Sequence, residues 1–192
     1  MLGKNTFRKF VTLTTAASVW CVYSMVAFAL PVVQSGEITV TGQVTVNGQP
    51  AVSNSTVLSG AVIVAGANSN AVVSLGKLGR IEVLSDSNAT LTFTANSIIV
   101  NLASGQTRVS NTAGTAATVT TKDATVIADQ SQADNFLVHV ECAHTHVDTT
   151  SGAVTMRSGS TDKQVAAGSS AETNSLNQQG CPPCLRPNSS TG

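Results

Sequence analysis

The sequence predicts an all-β protein, a twisted β-solenoid-like or sandwich stack of short strands preceded by an N-terminal signal-peptide helix. Across residues 57–109, short β-prone runs are separated by Gly, Ser, Asn or Asp about every eight to ten residues. Such regular punctuation is typical of sandwiches, barrels and solenoids. After residue 30 the only aromatic residues are Phe93 and Phe136. Val, Ile, Leu and Ala must therefore fill the core, which favours a thin solenoid-like stack over a thick sandwich.

The first 29 residues have the organisation of an export signal. Lys4, Arg8 and Lys9 precede an uncharged apolar run over residues 11–30, and Ala27 and Ala29 form the small-x-small pattern of a cleavage site. We expect residues 1–29 to be removed, leaving a protein in the periplasm, associated with the outer envelope, or secreted. The alternative is an uncleaved membrane anchor, because about 20 apolar residues can span a bilayer.

Residues 30–56 are predicted to form N-terminal strands and a connector. Residues 37–42 and 43–47 alternate apolar with polar side chains, as half-buried strands do. Asn47 and Gly48 tolerate positive φ, so we expect a tight turn there.

Residues 57–171 are predicted to form the main β domain. Its expected strands lie at 61–64, 71–75, 80–84, 90–94, 98–102, 107–109, 118–121, 124–128, 136–147, 153–156 and 165–168. The longest is 136–147, and a turn at 148–152 is expected to join it to 153–156 as a hairpin. Periodicity ends at Ser169, and residues 172–192 are predicted to be a flexible tail that contains cysteines.

Composition excludes some functions. Charged residues make up 10% of the chain, well below the usual quarter. Removing the three leader cations leaves 7 basic and 10 acidic residues, a net charge of about −3. A weakly acidic chain without a Lys/Arg cluster is not expected to bind nucleic acid.

The order of the strand blocks resembles the FecR domain, the extracytoplasmic domain of ferric-citrate-type regulators and of many exported bacterial proteins. The similarity runs from about Leu58 to Ala171. The matching blocks are residues 60–64, 68–69, 71–75, 78–83, 87–91, 100–105, 108–109, 117–121, 136–138, 147–154 and 165–168. The resemblance implies an all-β periplasmic domain without catalytic residues. In the iron-transport regulators this domain relays a signal from an outer-membrane receptor to a sigma factor.

Cys142, Cys181 and Cys184 follow the leader, and disulfides are the default in an oxidising compartment. Two pairings are open: Cys181 with Cys184, or Cys142 with one of these two. We favour a staple from Cys142 to the tail. A catalytic dithiol is not expected, because the Cys-x-x-Cys motif lies in a tail and not at a helix start.

A metal site is a further hypothesis. Strict alternation through residues 136–147 would put Cys142, His144 and His146 on one face with Phe136, Val138 and Val140, and His139 on the other. Cys142, His144 and His146 could bind zinc or copper, with a tail cysteine completing the set. The alternative is a strand whose histidines simply face solvent.

We expect no enzyme activity and no cofactor, because the sequence has no Gly-x-Ser-x-Gly, phosphate-loop or His-Glu-x-x-His motif. The leading hypothesis is a free-standing exported FecR-like binding module whose partner is a protein or other component of the cell envelope. One alternative is a membrane-anchored signal-relay regulator of the ferric-citrate type, which would contact the membrane only through an uncleaved leader. The other is a periplasmic metal-binding protein that uses Cys142, His144 and His146.

Overall fold

The computed structural model describes residues 34–141 and 144–173, and this part of the chain is almost entirely β-structure. The strands are β1 (Ser35–Thr41), β2 (Val44–Val46), β3 (Gln49–Pro50), β4 (Ser55–Leu58), β5 (Ala61–Ala65), β6 (Asn70–Ser74), β7 (Gly79–Val83), β8 (Ser87–Phe93), β9 (Ser97–Asn111), β10 (Ala116–Thr120), β11 (Thr125–Ala128), β12 (Asp134–Glu141), β13 (His144–Ser151), β14 (Ala153–Ser158), β15 (Thr161–Ala166) and β16 (Ser169–Glu172). A single 3-10 turn, Gly76–Leu78, lies between β6 and β7. The all-β prediction is confirmed.

The strands form two layers that share β9. The first layer has the order β4-β1-β6-β7-β9-β12-β13-β16, and every neighbouring pair is antiparallel. The second has the order β3-β2-β5-β8-β9-β10-β11-β14-β15, in which only β9 and β10 run parallel. Buried Val, Ile, Leu and Ala side chains of both layers form one core together with Phe93, Phe136 and Met156. Two layers around one core make a sandwich, which is one of the two predicted forms.

Strand β9 passes from the second layer into the first. Its first half pairs with β8 and β10 and buries Ile98, Val100 and Leu102, whereas its second half pairs with β7 and β12 and buries Thr107 and Val109. The buried positions therefore change from even to odd numbers within the strand. The sequence predicts two strands here, at 98–102 and 107–109, because this change of face interrupts the alternation.

Gly105 and Ser87 hold the bend in β9. Gly105 has a φ of +81°, which favours glycine. The buried Ser87 hydroxyl accepts a hydrogen bond from the N–H of Gln106 at 2.7 Å and lies 3.0 Å from the Gln106 carbonyl oxygen. One buried side chain thus contacts both backbone groups of Gln106, whose carbonyl also accepts a hydrogen bond from the Leu84 N–H at 3.0 Å.

The N-terminal strands belong to the same two layers as the later ones. β1 pairs with β6, and β2 pairs with β5. The predicted turn at Asn47 and Gly48 is confirmed by their φ angles of +52° and +78°. Residues 35–56 are thus part of the sandwich, whereas the sequence predicts a separate segment that precedes the main β domain.

The predicted strand at 136–147 is wrong, because β12 ends at Glu141 and β13 begins at His144. The two strands pair antiparallel with Glu141 opposite His144, and residues 142 and 143 lie outside the described part of the chain. The predicted hairpin with residues 153–156 is also wrong, because β14 pairs with β11 and β15 in the second layer. Gly152, with a φ of +80°, stands where the chain leaves the first layer.

The sequence predicts no strand after residue 168, but residues 169–172 form β16 and pair with β13. Ala171 is the one buried residue of this strand. A four-residue strand with a single apolar anchor is too short to show an alternating pattern, which is why the sequence does not reveal it.

Candidate functional site

Five of the seven residues that the sequence singles out lie outside the described part of the chain. They are Ala27, Ala29, Cys142, Cys181 and Cys184. Leader cleavage, disulfide pairing and the cysteine ligand of the metal site therefore stay predictions. His144 and His146 are described, and both lie on β13. No helix in residues 34–141 and 144–173 is long and apolar enough to span a membrane.

The face of β13 that carries His144 and His146 is turned away from the core. Thr145, Val147 and Thr149 are buried, so the alternate residues between them face outward. On β12 the buried residues are Phe136 and Val138, so His139 and Glu141 face outward as well. His144 and His146 therefore share a face with His139, and not with Phe136 and Val138 as the sequence predicts.

The strand register brings all three histidines of the chain into one patch with acidic residues. His139 lies opposite His146, which lies opposite Glu172 on β16, and Glu141 lies opposite His144. We call this group, His139, Glu141, His144, His146 and Glu172, the histidine patch. It is built from three neighbouring strands of the first layer.

His139 is the residue that sequence reasoning missed. A sequence signal for it exists, because the apolar positions change from even numbers (Phe136, Val138, Val140) to odd numbers (Val147) across residues 141–144. Such a change is expected where one strand ends and its antiparallel partner begins.

Distances within the histidine patch show that its members are close. The ring centroids of His139 and His146 are 6.1 Å apart, with an interplanar angle of 40°. His146 Nδ1 lies 3.5 Å from Glu172 Oε2, and the two side chains are 20% and 50% exposed. His144 Nδ1 is buried and has no hydrogen-bond partner among the described residues.

Burial lowers the pKa of the His139 imidazole below its ordinary value of 6.5. Glu141 and Asp148 raise this pKa and His146 lowers it, but the net shift is downward. Burial of the His139 ring thus favours its neutral form. Within residues 34–141 and 144–173, no three His, Cys, Asp or Glu side chains are placed to hold a metal ion as they stand.

A second polar cluster lies at one end of the sandwich, around Asp123. The hydroxyls of Thr121, Thr145 and Thr173 all donate to its carboxylate, and Ser158 Oγ donates to its backbone carbonyl at 2.9 Å. Thr173 is also held through its backbone, because its N–H donates to the Thr145 carbonyl at 3.0 Å. This cluster fixes the end of β16 against the start of β13.

The edges of the two layers differ in chemistry. Edge strand β4 has no charged residue and ends in Leu58, which is 52% exposed; Val52, which precedes the strand, is 68% exposed. Edge strand β15 carries Asp162 and Lys163, and Arg157 Nε donates to Asp162 Oδ1 at 2.7 Å. Edge strand β3 is two residues long and ends in Pro50.

No family model and no curated protein matches the chain. Solved structures do match it, among them two crystal structures, at 2.50 Å and 1.65 Å resolution, of a "putative anti-sigma factor" from Parabacteroides distasonis. Each has a TM-score of 0.51 and 16% sequence identity, and the match covers 59% of this chain and 54% of the other. The chain thus spans about half the length of the solved protein. At this identity the comparison shows a shared β fold.

Proposed function

We propose that this chain is an exported, non-catalytic interaction domain of the FecR type in the bacterial cell envelope. It binds another envelope protein by accepting a strand at the edge β4. Two similarities support this class of function: the order of the strand blocks in the sequence, and the fold shared with the Parabacteroides distasonis protein. The observation that carries the proposal is the uncharged edge strand β4, with the exposed Leu58 at its end and the exposed Val52 before it.

An edge strand presents unpaired backbone N–H and C=O groups, and soluble proteins usually protect such edges with charge, proline or very short length. β15 and β3 are protected in these ways by Lys163 and Pro50. β4 pairs with β1 on one side, is four residues long and carries neither a charge nor a proline. An added strand would gain backbone hydrogen bonds there, and apolar side chains of the partner would cover Leu58 and Val52.

Site-specific photo-crosslinking in cells of the native host tests this proposal. A crosslinking residue at position 58 is expected to capture one defined envelope protein, whereas a crosslinking residue at position 163, on the charged edge, is not. Thr56→Lys is expected to reduce capture at position 58 by about tenfold, because an added strand would have to bury the charge. Equal capture at both positions, or capture that Thr56→Lys leaves unchanged, would contradict binding at β4.

A membrane-anchored signal relay of the ferric-citrate type is the second candidate, and the description of the solved protein as an anti-sigma factor favours it. In that case the leader stays uncleaved and the domain regulates a sigma factor. Cell fractionation with N-terminal sequencing separates the two candidates. A soluble chain that begins near Leu30 would support the exported module. A membrane-bound chain with an intact leader, together with a sigma-dependent reporter that changes on deletion of the gene, would support the relay.

A further inference from the structure

We propose that His139, His146 and Glu172 form a binding site for a divalent transition-metal ion such as Zn²⁺, with His144 as a neighbouring donor. This site goes beyond the interaction function proposed above and does not depend on it. It also differs from the set predicted by sequence, because it replaces Cys142 by His139 and Glu172.

The strand register is the first observation that supports the site. His139, His146 and Glu172 stand side by side on three adjacent strands. Directly opposite residues of antiparallel strands have Cβ atoms about 4.5–5.5 Å apart. Ligands presented from paired strands need little reorganisation, because the backbone hydrogen bonds already fix their spacing.

The present distances are close to those of a bound pair. Two imidazoles on one tetrahedral Zn²⁺, with Zn–N bonds of about 2.0–2.1 Å, would have ring centroids roughly 5 Å apart. The observed separation of 6.1 Å therefore requires a closure of about 1 Å. Glu172 is half exposed and already lies beside His146, so its carboxylate can swing toward the ion without disturbing the core.

The chemistry of the patch also favours a cation. Glu141 and Glu172 belong to the patch, and the Asp148 carboxylate acts on His139 from beside it. The nearby Arg108 is paired with Glu82 at 3.1 Å. The buried Nδ1 of His144 lacks a hydrogen-bond partner among the described residues, which is a costly state for a polar atom unless it has a further role. Imidazole nitrogen with carboxylate oxygen is a donor set that suits Zn²⁺, Cu²⁺ and Ni²⁺.

Isothermal titration of the purified full chain with ZnCl₂ tests the site. We expect one Zn²⁺ per chain, and we expect His139→Ala and His146→Ala each to weaken binding at least about tenfold, since even the loss of a ligand's supporting partner costs about 10–100-fold. Glu172→Gln should also weaken binding, whereas the matched control Asp162→Asn, on an exposed carboxylate outside the patch, should not. Circular dichroism checks that each variant is folded.

A variant with Cys142→Ser, Cys181→Ser and Cys184→Ser distinguishes the two ligand sets. The proposal expects it to bind Zn²⁺ as the parent does. If it fails to fold, long-range ¹H–¹⁵N spectra of the intact chain report on the histidines, and Zn²⁺ must shift the ring nitrogens of both His139 and His146. No binding, binding that His139→Ala leaves unchanged, or loss of binding in the folded cysteine-free variant would each overturn the site.

Discussion

At the scale of single residues, the Asp123 carboxylate accepts hydrogen bonds from three threonine hydroxyls. Burial raises the pKa of its carboxyl, but hydrogen bonds from Thr145, Thr173 and Thr121 together outweigh burial and lower the pKa below 3.8. The ionised form is therefore preferred in the folded state. Because Thr145 lies in β13 and Thr173 directly follows β16, this carboxylate links β16 to its neighbour β13.

Replacing Asp123 by Asn tests this role. A folded-state pKa below the unfolded value contributes stability that is present above pH 3.8 and is lost as the pH falls through the folded-state pKa. Asp123→Asn should therefore lower the free energy of unfolding by about 1–3 kcal/mol at pH 7, and the difference from the parent should shrink below about pH 4. Urea denaturation at pH 7 and pH 3 measures both effects.

Asp129 supplies a matched control for that substitution. It is exposed, and hydrogen bonds from the side chain and backbone of Ser131 lower its pKa. Asp129→Asn disturbs one surface turn and is expected to leave urea denaturation unchanged at both pH values. If both variants lose the same stability, the Asp123 cluster has no special role.

At the scale of elements, the bend of β9 depends on Gly105. An added Cβ there would lie 2.5 Å from the Asp86 carbonyl oxygen and 2.6 Å from Ser87 Cα, both part of the chain that leads into β8. Gly105→Ala should therefore cost about 3 kcal/mol or more, since backbone must move in addition to the strain of a positive φ. Thermal unfolding followed by circular dichroism measures the loss.

Gly114→Ala is the control that separates strain from collision. Gly114 has a φ of +90°, close to that of Gly105, but an added Cβ meets nothing within 4 Å. Its substitution should cost only about 1–2 kcal/mol, the price of the left-handed conformation alone. Equal losses of stability at the two positions would contradict this prediction, because the close contacts at Gly105 would then add nothing to the strain of the positive φ.

The elements also show what the sequence can and cannot predict. Strands β5 to β8 follow the predicted runs closely, because alternation and turn residues are local properties of the chain. Pairing is not local. The sequence does not reveal that β14 pairs with β11 and not with β13, or that β12 and β13 are separate strands. Because the sequence predicts one continuous strand at 136–147, it places His139 and His146 on opposite faces. A shift of one residue exchanges the two faces of a strand.

At the scale of the whole molecule, the hydrogen bond of Thr173 to β13 is relevant to the predicted disulfide between Cys142 and the tail. Thr173 is hydrogen-bonded to Thr145, which is three residues from Cys142 in the sequence. Cys181 follows Thr173 by eight residues, which span up to about 28 Å when extended. The tail therefore has the length to reach Cys142, and the staple between them stays a prediction.

Reduction distinguishes the two pairings. A bridge from Cys142 to the tail closes a loop of about 40 residues and should add about 4 kcal/mol, whereas a bridge between Cys181 and Cys184 should add about 2 kcal/mol or less. We expect reductant to lower the midpoint of thermal unfolding clearly, and peptide mapping without reduction to recover Cys142 joined to a tail cysteine. Recovery of Cys181 joined to Cys184, with an unchanged midpoint, would refute the staple.

The shared strand β9 affects how the chain can fold while it is being synthesised. Strands β1 to β8 lie on one side of β9 in both layers, and β10 to β16 lie on the other. While the chain emerges from the ribosome or from an export channel, the first eight strands appear without the strand that closes them, so β7 and β8 each present a bare edge. Once residues 97–111 are available, β9 can pair with both β7 and β8. The same strand then provides the edges on which β10 and β12 pair.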